Sequence, residues 1–349
     1  MGFFSKALGF FLTPSLEKGC VDQYTKFLLS GNEFNTEVLG CTDVNYSVGA
    51  IKGLQEKYGA TARSDNNGFC DMISIDFEGQ FYKIFYFMHY ARAINVGITV
   101  ETEETDFNKI VSFLNEVNKS DILDQVGVIE QEGKTYIRVY RQFLNTPHIG
   151  TVETLAQGLR DLKTFATKIS HLEFPDDEEW KKWASIKSEE PIENAHDFWF
   201  NHNSESCLKN FAATSKIIEK DDNREVRSMI DINSFGDSFY AESMPFIQGR
   251  IYTYSEFPYL TLMQVNIREG EHPMVPSINI SSAYNFLVNW NAALHFAPCK
   301  IVYDKDESGK IVLCLLMSGL YADDCNTRTY IDFLCSLQKA TGIMVSSVR

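Results

Sequence analysis

Seven histidines, eight cysteines and 47 acidic residues are the raw material for chemistry in this chain, and spacing decides what they can do. Glu193, His196, His202 and Cys207 make the densest mixed group. They lack the i, i+4 histidines of a helical metal site and the paired cysteines of a structural zinc site, so they read as surface or linker residues. Cys70 and Cys299 each fall near a strand end, but no histidine lies close in sequence to act as their base. His295 falls near the end of a helix that starts at Ser281, where an imidazole meets the last carbonyls and the negative dipole end; capping is the expectation. Asp304 to Gly309 reads like the opening of a calcium loop, yet Leu315 stands at the twelfth position where the bidentate glutamate belongs, and the flanks read as strands. Glu101, Glu103, Glu104 and the pair Asp323 and Asp324 precede helices, where carboxylates favour the positive dipole end. The phosphate-loop, dinucleotide, HExxH and GxSxG patterns are absent from the sequence. The expectation is therefore a chain without a catalytic, cofactor-binding or metal-ligating set, and not an enzyme.

A second group of residues points to construction. Asn115 and Asn118 sit late in one predicted helix, and Asn289 and Asn291 late in another. Asparagine is poor inside helices unless its amide has a partner. Asn118 and Asn291 are therefore expected to tie their helices to the following hairpins by side-chain to backbone bonds. Gly79, Gly133 and Gly309 fall where hairpins must turn, and with the two asparagines they complete a structural signature.

The elements that hold these residues follow from hydrophobic period. The first 40 residues read as a helical extension, with Phe3, Phe4, Leu8, Phe11 and Leu12 in one short helix and Tyr24, Phe27 and Leu28 in the next. A helix is predicted from Ser47 to Tyr58, on Val48, Ile51, Leu54 and Tyr58, and Gly59 ends it. Asp65 to Gly68 reads as a turn. Alternation then predicts strands over Ile73–Phe77, Phe81–Phe87 and Ile94–Val100. Helical spacing resumes with Phe107, Ile110, Leu114 and Val117 after Thr105, whose hydroxyl can cap. The strands Gln125–Gln131 and Lys134–Leu144 turn on Glu132 and Gly133, and a closing helix starts near Thr151. The order is α-β-β-β-α-β-β-α. The stretch 175–203 is acidic, carries prolines, and reads as a linker with a short helix around Trp180 and Trp183.

Beyond it the pattern returns. A helix over Ser281–Leu294, strands Lys300–Tyr303 and Lys310–Leu316, and a helix from Asn326 repeat the second half of the order. Asn118 aligns with Asn291 and Gly133 with Gly309. An internal duplication is expected, with Arg224–Ile232, Phe239–Ile247, Arg250–Tyr254 and Tyr259–Ile267 offering one strand more than a copy needs. The domains are then 1–40 as the extension, 41–174 as the first copy, 175–203 as the linker and 204–349 as the second.

Charge narrows the class of partner. With 32 basic and 47 acidic residues the net charge is 32 − 47 = −15, so there is no basic surplus to replace counterions on nucleic acid or to dock on anionic lipid. Residues 311–322, the longest uncharged apolar stretch, are too short for a membrane helix and read as a strand. The opening segment has no basic region before its apolar run and no small-residue cleavage site, so a signal peptide is not expected; Lys6 also breaks the myristoylation pattern. The cysteines are unpaired in spacing, and Cys314 and Cys335 read as small buried hydrophobes, which fits a reducing cytoplasm.

The ordered motifs resemble a known family. Phe77-Glu78-Gly79 in the first hairpin, Leu114 to Asn118 in the helix, Glu132-Gly133-Lys134 in the second hairpin and the helix after Gly150 are similar to the YbjN-type domain, which shares its fold with bacterial type III secretion chaperones. The segment LVNWNAALHFAPCKIVYDKDESGKIVLCLL carries the likeness in the second copy. The resemblance implies an α+β protein of two tandem domains, each a twisted antiparallel sheet packed with helices, forming a pseudo-dimer within one chain. It also implies a chaperone-like or regulatory binding role with no catalytic residues to carry over. A protein partner, basic in charge, is expected, and the chain itself is expected to be a monomer or weak dimer. Two other classes fit the composition: an intracellular immunity or inhibitor protein facing a basic toxin, and an enzyme with a site between the domains.

Overall fold

The computed structural model describes residues 44–66, 71–85, 93–121, 123–144, 152–176, 181–182, 215–219, 226–232, 249–254, 260–270, 277–292 and 299–320. Four helices are described: α1 (Val44–Tyr58), α2 (Phe107–Ser120), α3 (Val152–Ser170) and α4 (Ile280–Asn291). Twelve strands are β1 (Thr61–Asn66), β2 (Asp71–Phe77), β3 (Gln80–Phe85), β4 (Ala93–Glu101), β5 (Gln125–Gln131), β6 (Lys134–Leu144), β7 (Ser215–Glu219), β8 (Val226–Ile232), β9 (Gly249–Tyr254), β10 (Leu260–Arg268), β11 (Cys299–Lys305) and β12 (Ile311–Leu320). They form two antiparallel sheets of six strands. The first runs β1-β2-β3-β4-β6-β5 and the second β7-β8-β9-β10-β12-β11. The two orders match strand for strand, and in each a helix stands between the fourth and fifth strands, so the chain is α+β.

Local chemistry explains the elements. In α3, Leu155, Leu159, Leu162, Phe165 and Ile169 fall on one stripe and are buried, while Lys163 and Thr164 face water. Burying each large side chain stabilises the fold by about 1.5–3 kcal/mol, which outweighs the modest helix propensity of the stripe. Glu78 and Gly79, then Glu132 and Gly133, are two-residue hairpin loops with positive φ at both positions, 52° and 72° in the first and 53° and 77° in the second. That is the type I′ turn, whose twist matches the strands it joins and whose second position favours glycine. The third hairpin turns over Asp306–Lys310. There the Asp306 carboxylate accepts from the Ser308 and Lys310 amides and Gly309 takes φ of 79°. Asp306, one of the acids that resembled a calcium loop, closes this turn.

Several expectations are corrected. Asp65 and Asn66 are not a turn; they end β1, which pairs with β2 from Thr61↔Asp76 to Asn66↔Asp71. TARSDN carries little apolar alternation, and pairing with β2 outweighs its weak propensity. The first copy thus has four strands ahead of α2, which departs from the α-β-β-β-α-β-β-α order. The second sheet also has four strands ahead of α4, but its first is Ser215–Glu219. Phe239–Ile247 lies outside the described residues. The cap of α2 is Asp106, not Thr105: its carboxylate accepts from the Asn108 and Lys109 amides at 3.0 and 3.2 Å. Residues 1–43, His196, His202, Cys207, His295, Cys335 and the helices expected near Thr25 and Asn326 lie outside the described residues, as does nearly all of the acidic stretch.

Candidate functional site

A buried polar constellation among the described residues lies where the two halves meet, with α4 of the second against β5 of the first and α2 of the first against β11 of the second. Each strand is held by its own helix in the same way. Asn118 of α2 donates from Nδ2 to the Val126 carbonyl at 2.8 Å and accepts the Val126 N–H at Oδ1 at 2.9 Å. Asn291 of α4 donates to the Ile301 carbonyl at 2.7 Å and accepts the Ile301 N–H at 2.8 Å. Both asparagines are buried, so each amide completes two backbone groups that water cannot reach. Gly79, Gly133 and Gly309 stand away from this place, at the hairpin turns.

Other groups cross from one half to the other. Asn115, one turn before Asn118, gives the same paired bonds to Tyr303 of β11, at 3.0 Å each way. The Gln125 amide donates to the Asn291 carbonyl at 3.1 Å. Arg138 Nη1 donates to the Ala292 carbonyl at 3.0 Å, with the Tyr140 hydroxyl at 3.4 Å from the same oxygen. Three side chains of the first half therefore cap the C-terminus of α4, and the arginine also meets the negative dipole end. Gly127 permits this approach: a Cβ there would lie 2.4 Å from the Asn291 carbonyl oxygen and 2.6 Å from the Ala292 nitrogen.

In the opposite direction Lys300 enters the loop between α2 and β5. Its Nζ donates to the Asp121 carbonyl and, at 2.7 Å, to the Asp124 carbonyl. Asp121 accepts the Leu123 and Asp124 amides at 3.0 and 2.8 Å, shaping the loop. Asp124 pairs with Arg141 of β6, Nε to Oδ1 at 2.7 Å, and neither side chain is exposed. The Arg141 guanidinium lies over the Phe165 ring of α3, 5.1 Å from its centroid. Two acidic and two basic side chains are thus buried together, and burial dominates the ionisation of Asp121 and Lys300. It pushes Asp121 up to about 8, helped by the nearby Asp124, and brings Lys300 down to about 8 against the attraction of both acids.

No family model and no curated protein matches the chain. Solved structures do. The crystal structure of YbjN, named as a candidate transcription regulator from E. coli, is similar over 34% of this chain and 84% of that one, at 14% identity and a TM-score of 0.25. At that TM-score the likeness does not bear on fold or function, and the site is read from its own geometry.

The remaining candidates fall into structural roles. Glu104 accepts the Thr105 and Asp106 amides at 3.0 Å ahead of α2, and Glu101 pairs with Lys134. The Cys314 thiol is pushed up to about 12 by burial, so it offers no thiolate near neutrality. Among the described residues no group of three histidines, cysteines or acids is placed to hold a metal ion, and no helix is long and apolar enough to cross a membrane. The seam residues Asp121, Asp124, Gln125, Gly127, Arg141 and Lys300 escaped the sequence reading. One signal was present: Arg141 shares strand parity with the buried Ile137, Val139 and Phe143, and Lys300 shares it with the buried Val302. A charge on the core parity of a strand marks a buried partner.

Proposed function

We propose that the protein is a non-enzymatic binding module of the chaperone-like or regulatory kind, built from two tandem copies that pair within one chain as a dimer would. The observation that carries this reading is the reciprocal seam. The two sheets share one strand order, α4 of the second half sits on β5 of the first, and α2 of the first reaches β11 of the second through Asn115. The domains are 41–174 and 204–349, flanked by the extension 1–40 and the linker 175–203. The hydrogen bonds that the seam's buried side chains make go to backbone and to one another, which suits holding a shape better than turning over a substrate.

The partner in this reading is a protein. Among the described residues β1 and β7 stand at the outer ends of the two sheets, where an extended segment can add as a further strand. A net charge of −15 favours a basic partner and speeds its arrival at low salt. The cytoplasm is the compartment that suits cysteines without paired spacing in the sequence. Retention of proteins from native lysate on the purified chain, at low and high salt, tests this. One dominant basic protein lost at high salt is the expected result. A retained small molecule without any retained protein would move the assignment to an enzyme or ligand carrier.

A further inference from the structure

The seam is symmetric in plan and asymmetric in chemistry. The amide clamps place Val126 opposite Ile301 in the two plans, so Gln125 corresponds to Lys300 and Gly127 to Val302. We propose that these substitutions code the seam for unlike halves, so that the β5 face of the first half accepts the second half and rejects a like half from another copy of the chain. The proposal rests on the internal pairing read above.

Charge supplies one part of the code. Pairing two first halves would bring Gln125 to the loop of Asp121 and Asp124, leaving the two carbonyls that Lys300 now meets without its ammonium. Pairing two second halves would bring Lys300 to the carbonyl end of α4, where Gln125 now sits, and away from the Asp121 and Asp124 carbonyls. A buried polar group without its partner is unfavourable, and each like pairing creates some: loop carbonyls without a donor in the first, a buried ammonium away from those carbonyls in the second. In the unlike pairing, Lys300 meets the loop that carries both acids, and the neutral Gln125 meets the neutral carbonyl.

Shape supplies the other part. The backbone at Asn291 and Ala292 lies against Gly127 at a distance that excludes any Cβ. At the corresponding place β11 carries Val302, a buried side chain. The end of α4 therefore fits β5 and collides with a second β11. Polarity acts against both like pairings and shape against the second–second one, and such separate means secure specific interfaces against close competitors.

Unfolding and refolding the full chain over a hundredfold range of protein concentration, followed by light-scattering mass, tests the code. The wild type should return as monomer throughout. The triple variant D121N/K300Q/V302G, with both parts erased, should give a dimer fraction that rises at least tenfold across the range. Gln125→Lys alone gives the first–first pairing its missing cation and should also raise the dimer fraction, which covers the case of a triple variant that does not fold. If both variants return only monomer, or the wild type dimerises as readily as they do, the code is refuted. Gly127→Val separates the two readings. Should it leave the melting temperature unchanged, the internal pairing itself fails; should it lower that temperature while the other variants stay monomeric, only the code fails.

Discussion

In α2, Asn118 turns its amide onto the strand of its own half, and Asn115 turns the same amide onto the strand of the other. In α4, Asn291 repeats the first gesture, while Val288 stands where the second would be. The two halves are therefore alike in how each is held together and unlike in how each reaches across. The alike part is set by backbone arithmetic: a helix that ends over a strand leaves strand N–H and C=O groups buried, and one amide satisfies both. The unlike part follows a different demand. Once two related surfaces lie in one chain, each side faces a fixed partner, and nothing requires it to remain complementary to itself.

Substitutions can break this comparison or sharpen it. The largest expected effect is at Lys300. Lys300→Met leaves the buried Asp121 and Asp124 carbonyls without their donor and should cost about 3–5 kcal/mol in denaturant unfolding, whereas Gln125→Met at the corresponding place should cost about 1 kcal/mol. Equal losses would erase the distinction between the two sides. Next are the clamps. Asn118→Leu and Asn291→Leu each strand one N–H and one C=O, so each should cost about 2–4 kcal/mol, and the two losses should agree. If either leaves stability unchanged, that clamp does not hold its half.

Another effect is read along the pH axis. The fold holds a proton on Asp121 up to about 8, where the unfolded chain gives it up from about 3.8, so stability falls as pH rises across that interval. The unfolded chain keeps the Lys300 proton to about 10.5, whereas the fold releases it from about 8, so stability recovers between those values. The wild type should therefore show a minimum near pH 8 relative to the D121N/K300M variant, measured by urea unfolding from pH 5 to 10. A difference that stays flat with pH would mean that neither group titrates as its burial dictates. The smallest expected change is at a turn. Glu132→Asn suits positive φ better than glutamate and should stabilise the chain by about 0.5–1 kcal/mol. A melting temperature that does not rise would show that the β5–β6 turn is not under that strain.

Much of the plan was legible because it rests on period. The stripe of α3, the alternation of β2 and the glycines of the hairpins announce themselves locally. Asn118 and Asn291 stood out because asparagine late in a helix asks for a partner. β1 and β7 did not, since TARSDN and SKIIE are short, and pairing with a neighbour decides their state. The charged cluster was hidden for another reason. Asp121 and Asp124 look like ordinary loop acids, and the lysine that meets them is 179 residues away from Asp121. Periodicity carries no information over such a distance.

That separation also sets an order in time. Ribosomes add roughly 5–20 residues per second, so roughly 10–35 s pass between the emergence of Asp121 and that of Lys300. Through that interval Asp121 lacks the lysine that will later cover its loop, and without that cover it stays hydrated and charged. The first half thus waits without its cover, and the loop gains its buried ammonium only after Lys300 has emerged.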